Sequence, residues 1–409
     1  MKRTISLKWY RCPLCEAKEF EIAYVNAASL ARVNPEPLAW DVVTSICKTC
    51  GLVQSDPRPM PSFTSQIYRP EEASLSNQNI DSKPKEPNGQ ALKVRKEQLS
   101  FIKRVFSHKE NAKILDIGCN DGFLLSQLKQ AGHDVIGVEP DLGQAMKAIN
   151  RDIPVMTVFY QNAPFLNASF DLISAFHVLE HIHNPHAFLK KVYRELKPNG
   201  YVCLEVPDFY NPNATKLDDY FNCQHMFYYT PTTLKTMLSK IGFKPVKLIK
   251  KNYYAFRILA QKVGEKASPK PDVKEVERAR KIIDSYKVAR LRTLIKISKK
   301  IESALSKADG DKRVVIWGAG QHTYDILRLT MLQADADLLF VDSDPQKHLS
   351  GFLGQPVFSP SELPKLNPSL VLVSSYAFQK DIATQLENMG VEKNRVLTLY
   401  NDVRTYDGM

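Results

Sequence analysis

Two stretches of the chain repeat one pattern, an apolar run, a glycine turn and then apolar residues at helical spacing. In the first, ILDI from Ile114 runs into a turn holding Gly118, Asn120 and Gly122, and FLLSQL from Phe123 follows. An apolar run bounded by glycines predicts a buried parallel strand, and the spacing after it predicts a helix. Strands are expected near 112–117, 133–139, 153–158, 170–175 and 200–206, with helices near 122–131, 141–150 and 185–197. An antiparallel pair near 243–250 and 253–262 closes this series. Ala91 to Phe106 carries apolar residues at helical spacing and is expected to pack across the sheet, and Thr230-Pro231 starts a further helix with an N-cap and a first-turn proline. The second stretch is RVVIWGAGQHT, Arg313 to Thr323, followed by LLFVDSDP and the apolar strand LVLV from Leu370. Alternation of this kind predicts an α/β class built on parallel sheets.

The intervening segments differ in character. Asp56 to Gly89 is rich in Pro, Ser, Asn and charge and reads as a linker. From Lys266 to Ala308 a basic helical stretch carries one apolar stripe, Ile283, Tyr286, Leu294, Ile297, Ile301 and Leu305, and its other face is expected to be solvated. With 409 residues the chain exceeds one compact core. The expected division is a small module with its linker over 1–89, a glycine-loop domain over 90–265, a helical connector over 266–310 and a Rossmann-like domain over 311–409. No run of about eighteen apolar residues occurs, and the first residues lack the apolar segment of a signal peptide, so a cytoplasmic location without membrane insertion is expected. A net charge of +12 favours anionic partners without choosing among them.

The glycine turn lets backbone approach a ligand closely, and Glu139 ends the next strand about twenty residues on, where an acid takes the hydroxyls of a ribose. The turn reads D-x-G-x-x-x-G rather than G-x-G-x-x-G, and a nucleoside is the expected guest. Cys12 and Cys15, with Cys47 and Cys50, form two equally spaced pairs that suit one tetrahedral zinc. Four thiolates leave no open position, so the expected role is structural. Cys119, Cys203 and Cys223 are expected to be packing residues. Tyr68 lies in the linker, where a lid over a substrate would be.

The loop, GVEP at Gly137 to Pro140, the polar segment SFDLISAFHVLEHI and the LKPNGYVCLEVP turn and strand together resemble the class I S-adenosylmethionine-dependent methyltransferases. The order of zinc cysteines, this core, the QHMFYYTPTTL region and a C-terminal glycine-loop domain is similar to the three-domain sugar C-methyltransferases, which act on nucleotide-linked deoxy-keto-sugars. That resemblance implies structural Zn2+, S-adenosyl-L-methionine in the middle domain and a nucleotide-diphosphate sugar as substrate. It places Asp116, Gly118, Asn120, Gly122, Glu139, Phe159 and His177 around the cofactor, and Tyr68, His181, Gln224 and His225 toward the sugar. The family's Tyr-x-Glu-His segment reads Asn222-Cys223-Gln224-His225 here, and its late glycine pair is Tyr253-Tyr254 ahead of Arg257.

A methyl sulfonium needs a nucleophile in line and a base to uncover it. Carbon methylation beside a ketone requires loss of a C–H proton and an enolate, whereas oxygen methylation needs only an O–H proton removed. His225, on an insertion expected over Asp208 to Tyr229 after the fifth strand, suits either, with His181 as the competing base and Gln224 tuning it. His183 and His186 are expected to face solvent or cap a helix. Three function classes follow: a methyltransferase on a nucleotide-sugar at carbon or oxygen, an RNA methyltransferase, and a non-catalytic scaffold. The second lacks an N-P-P-Y motif after the fourth strand, and the intact acid-and-glycine loop argues against the third.

Overall fold

A computed structural model describes residues 7–31, 38–61, 89–106, 111–217, 219–250, 255–264, 272–308, 313–376 and 378–401. The chain divides into two compact units, one of the described residues up to Pro212 together with Phe221–Ile283, the other of Asn213–Tyr220 with the residues from Asp284 onward.

The first unit holds a four-stranded sheet and a seven-stranded sheet. The N-terminal strands β1 (Phe20–Ala31), β2 (Leu38–Cys47) and β3 (Val53–Ser55) run antiparallel. Helix α1 (Gly89–Phe106) then leads into β4 (Lys113–Ile117), α2 (Phe123–Gln130), β5 (Asp134–Val138), α3 (Leu142–Ile149), β6 (Val155–Met156), β7 (Phe170–Phe176), α4 (Pro185–Glu195) and β8 (Leu196–Pro207). After β8 come β9 (Phe227–Tyr228), α5 (Pro231–Ile241), β10 (Phe243–Lys250) and β11 (Ala255–Lys262). The large sheet has the order β10-β11-β8-β7-β4-β5-β6, with β11 antiparallel to both neighbours and the strands from β8 to β6 parallel. β4 is flanked by β7 on one side and β5 on the other, so the chain reverses its direction of travel across the sheet there. Ligands of such sheets bind at the carboxyl ends beside that switch.

Burial follows the apolar pattern. Ile114, Leu115, Ile173, Ala175, Leu204 and Val206 are each no more than 0% exposed, as expected for strands covered on both faces. The third expected strand shrinks to Val155–Met156, which pairs only with Gly137 and Val138 at the sheet's edge. β8 begins earlier than expected, at Leu196, because the Pro198-Asn199-Gly200 turn is taken into it as an irregularity between Leu196 and Tyr201. Thr230 caps α5 as its sequence implies, its hydroxyl accepting from Thr233 N at 3.0 Å with Pro231 in the first turn.

The insertion after β8 is divided between the two units. Its middle, Asn213–Tyr220, belongs to the second unit, where Asp219 pairs with Arg290 at 3.1 Å and accepts from the Tyr286 hydroxyl at 2.8 Å. Its end, β9, instead becomes an edge strand on β3, Phe227 opposite Gln54 and Tyr228 opposite Val53. The cysteine-bearing module and the large sheet therefore share one apolar core, with Cys12, Cys47 and Leu52 packed among Phe227, Tyr229, Leu234 and Met237.

Helix α6 spans Lys274–Leu305, and its stripe residues Ile297, Ile301 and Leu305 are buried in the second unit with Leu217, Val314 and Ile316. That unit is a five-stranded parallel sheet. β12 (Arg313–Trp317) lies at its centre, with β13 (Asp337–Val341) and β14 (Val357–Phe358) on one side and β15 (Leu370–Val373) and β16 (Val396–Thr398) on the other. Among the described residues, no helix is long and apolar enough to cross a membrane.

Candidate active site

The turn between β4 and α2 is built from left-handed backbone. Gly118 and Gly122 have φ of 72° and 71°, and Asn120 has φ of 51°, conformations that glycine reaches at no steric cost and asparagine tolerates. A Cβ on Gly118 would lie 2.7 Å from Val178 Cγ2, and one on Gly122 would lie 2.6 Å from Ala148 Cβ. The loop is thus closely backed by its neighbours. Gly118 N donates to Val138 O at 2.7 Å, tying the turn to the end of β5.

Glu139 sits where that end meets the loop. Its Oε2 accepts from Asn120 N at 3.0 Å and its Oε1 from Asp141 N at 2.9 Å. Burial raises its proton affinity against those two amides. Asp116, only 4% exposed, accepts from the Ser174 hydroxyl at 2.7 Å. Burial pushes its carboxyl up to about 7, with the Ser174 hydrogen bond opposing. Asp121, which sequence reading passed over, pairs with Arg95 at 2.6 Å and Arg151 at 3.6 Å, fixing the loop against α1. Phe159 lies half-buried after β6.

Beyond β7 the backbone turns through His177, φ 54°. Its Nδ1 is 3.3 Å from Glu180 Oε1 and its Nε2 is 3.3 Å from Glu205 Oε1. Burial alone would depress His177, but the two carboxylates outweigh it and raise the imidazole to about 10. Glu205, fully buried at the end of β8, accepts from Gln98 Nε2 at 2.9 Å and pairs with the Arg257 guanidinium of β11. Burial would raise Glu205, yet His177 and Arg257 hold it at about 2. Sequence reasoning misses this alternating acid and base series because Glu180, Glu205 and Arg257 meet His177 and one another only through the folded sheet.

His181 follows on the same segment, and its Nδ1 lies 3.0 Å from the carbonyl oxygen of Gln224. That contact brings the two histidines together, with ring centroids of His181 and His225 5.0 Å apart. It is the backbone of Gln224 that meets His181; the residue itself is exposed. Burial, helped by the neighbouring His181, depresses His225 to about 3. It is therefore neutral at physiological pH. The segment bearing it is held by the N-terminal sheet, since Ser55 Oγ donates to His225 O at 2.8 Å and Ser55 N to Met226 O at 2.9 Å. Tyr68 lies outside the described residues. His183 does not face solvent: its ring stands edge-on to Tyr10 at 4.5 Å, and Asn184 rather than a histidine caps α4.

Cys12, Cys15, Cys47 and Cys50 converge, with Sγ–Sγ distances of 3.5 Å for Cys12–Cys50 and for Cys15–Cys47. Four sulfurs about 2.3 Å from one ion would sit roughly 3.8 Å apart, so the residues fit zinc. Bound zinc would hold all four as thiolates, tying the Cys12–Cys15 turn to the end of β2.

A family model described as a methyltransferase domain matches residues 91–248, and one described as C2185-like, N-terminal, matches 310–397. The chain is 31% identical over 160 residues to a tRNA U34 carboxymethyltransferase of Pseudoalteromonas translucida, covering 36% of this chain and 49% of that protein. It is 29% identical over 123 residues to a ubiquinone biosynthesis O-methyltransferase of Hydrogenovibrio crunogenus, covering 28% and 50%. The chain thus spans about half the length of these relatives. A putative S-adenosylmethionine-dependent methyltransferase from Listeria monocytogenes superposes with a TM-score of 0.36 at 16% identity, covering 41% of this chain and 98% of that one. With the family match over 91–248 and the strand order around its glycine loop, the middle of this chain is a class I S-adenosylmethionine-dependent methyltransferase domain.

Proposed function

We propose that the chain transfers a methyl group from S-adenosylmethionine to a nucleotide-linked deoxy-keto-sugar, at the carbon beside the ketone. Asp116, Gly118, Asn120, Gly122 and Glu139 bind the cofactor, with Glu139 on the ribose and Asp116 and His177 toward the methionine end. Phe159 lines the nucleoside side. His225 takes the acceptor's proton, and His181 positions it. The cysteines carry zinc, and the 311–409 region is the nucleotide-sugar half of the protein.

The observation that carries this reading is the pairing of His181 with a neutral His225 at 5.0 Å, from segments that follow the carboxyl ends of β7 and β8. A neutral imidazole can accept a proton, and Gln224 cannot at neutral pH. Replacing the family's tyrosine and glutamate by Asn222 and Gln224 leaves this pair as the available proton chemistry. Oxygen methylation is the second reading, favoured by the ubiquinone O-methyltransferase among the relatives.

The test is a panel of nucleotide-linked keto-sugars with product mass spectrometry and NMR. With an accepted sugar, a carbon methyltransferase exchanges deuterium from solvent into the carbon beside the ketone even with S-adenosylhomocysteine bound. Methylated product without that exchange moves the reaction to oxygen. His225→Asn is expected to lower turnover about a hundredfold or more while leaving cofactor affinity nearly unchanged. Loss of turnover in His181→Asn, with His225→Asn near wild type, would exchange the two roles.

A further inference from the structure

The acceptor side of the site holds ligand atoms that the contacts above do not satisfy. Glu180, His181 and His225 each bring one donor atom, all within 4.8 Å of one another. Glu180 is 1% exposed, and its Oε2 is buried with no hydrogen-bond partner among the described residues. Nδ1 of His225 is buried and unpartnered in the same sense. Leaving such a group unsatisfied costs about 1–3 kcal/mol. An anionic oxygen and a histidine nitrogen left unsatisfied within one cluster are relieved together by a positive ion that accepts both lone pairs.

The surroundings are those of metal ligands. His181 directs Nδ1 at the Gln224 carbonyl and sets Nε2 3.9 Å from Glu180 Oε1. Ligating histidines are commonly oriented by such a bond from the other nitrogen. Glu180 is likewise fixed through its other oxygen by His177 at 3.3 Å. The third ligand reaches the site on a segment clamped by Ser55 and β3, so all three are placed by ordered structure. Donors around a first-row ion at about 2.0–2.2 Å stand roughly 3–3.5 Å apart. Donor pairs as far apart as 4.8 Å would close by up to about 1.5 Å around such an ion.

We infer that Glu180, His181 and His225 bind a divalent first-row transition-metal cation facing the acceptor. Two imidazoles and a carboxylate suit zinc, iron or manganese rather than magnesium or calcium. Three protein ligands leave positions open, unlike the four cysteines, and an acceptor oxygen, ketone or hydroxyl, can fill one. Bound there, that oxygen loses proton affinity and the neighbouring C–H or its own O–H becomes more acidic. With the ion held by His225, the acceptor's proton passes to water, so a bound cation replaces the base role that the proposed function gives His225. The inference rests on the proposed function only in setting the acceptor against this cluster.

Manganese discriminates between the two metal sites, because thiolates select softer ions. The full-length protein with zinc in its cysteines is titrated with Mn2+ and followed by electron paramagnetic resonance, with neither cofactor nor acceptor present. One equivalent is expected to bind. Glu180→Gln and His225→Asn should each weaken binding at least about tenfold, with circular dichroism and S-adenosylhomocysteine affinity confirming that both variants fold. Asp342→Ala, in the second unit, should leave Mn2+ binding within about twofold. No binding by the wild-type protein at millimolar Mn2+, or wild-type affinity in both cluster variants, overturns the inference. A failed sugar panel with intact Mn2+ binding removes the substrate reading alone, and the reverse result removes the cation alone.

Discussion

The chain builds a strand, a glycine turn, a helix and a second strand ending in an acid twice, and the two copies differ in what their acids are left to do. In both, a loop amide donates to the acid: Asn120 N to Glu139 at 3.0 Å, and Ala319 N to Asp342 at 2.7 Å. In both, the residue two further on donates to it as well, Asp141 at 2.9 Å and Asp344 at 3.0 Å. The resemblance ends there. Lys347 lies 2.6 Å from Asp342. Burial would raise Asp342, but Lys347 and the backbone amides outweigh it and hold the carboxyl below its ordinary range, whereas Glu139 is raised. The strand ends differ too. His322 lies 2.9 Å from Ser374 Oγ and 2.6 Å from the Tyr400 hydroxyl, and Thr323 donates to Ser374 at 2.6 Å. A Cβ on Gly318 would lie 2.5 Å from Ser374 O. The second turn has spent its charge and polar groups on itself. A glycine turn followed by an acid therefore specifies a local fold, and the acid's other partners decide whether a ligand finds a charge waiting.

The largest effect is expected from removing what only the first copy has, a histidine segment held by the cysteine-bearing module. Cys47→Ser should cost the protein one zinc per chain and lower its melting temperature by roughly 5 °C or more, since the small module relies on the ion for its fold. With β9 no longer clamped, turnover should fall more than about a hundredfold while S-adenosylhomocysteine affinity stays within about twofold. Elemental analysis, thermal melting and calorimetry read these outcomes. Unchanged metal content and melting would remove zinc from the description.

A smaller effect separates the two acids. In the proposed function Glu139→Ala deletes charge-assisted contacts to the ribose, and it should weaken S-adenosylhomocysteine by roughly ten- to a hundredfold, about 1.5–3 kcal/mol. Asp342→Ala should change it less than about twofold. Equal losses in the two variants, measured by calorimetry on folded protein, would erase the distinction drawn between the loops.

Much of the first copy is local and could be read in order along the chain. Asp116, the glycines and Glu139 lie within about two dozen residues of one another, and the Thr230 cap acts on Thr233 three residues on, so spacing and backbone chemistry suffice. The two cysteine pairs were legible because ligand geometry imposes their equal spacing. What escaped is set by distance along the chain. Nothing in Val53–Ser55 or Phe227–Tyr228 announces that they pair across some 170 residues. Arg257 was noted only by position, because its partner Glu205 is on another strand of the sheet. His183 was read as exposed because it stands in a polar run, yet Tyr10 of the N-terminal module covers it.

The smallest effect follows from Asp116 and tests whether the first loop carries a charge that responds to its guest. Its carboxyl is raised to about 7 by burial, and in the proposed function it faces the cationic methionine end of the cofactor. Only the ionised form attracts that end, so affinity for S-adenosylmethionine should rise with pH, by roughly tenfold between pH 6 and 7.5. That window ends below about 7.7, where an α-amino group itself begins to lose its proton. The sign for stability is opposite. A carboxyl whose folded value lies above its unfolded value of about 3.9 binds more protons when folded, so its contribution to stability of the free protein falls as pH rises from about 4 through 7. Asp116→Asn should flatten the affinity profile over this range. Ser174→Ala, which removes the hydrogen bond that favours ionisation, should move its midpoint to higher pH. A wild-type affinity constant from pH 6 to 7.5 would mean that Asp116 is not beside the cationic end, and that the loop recognises its guest through Glu139 and backbone amides alone.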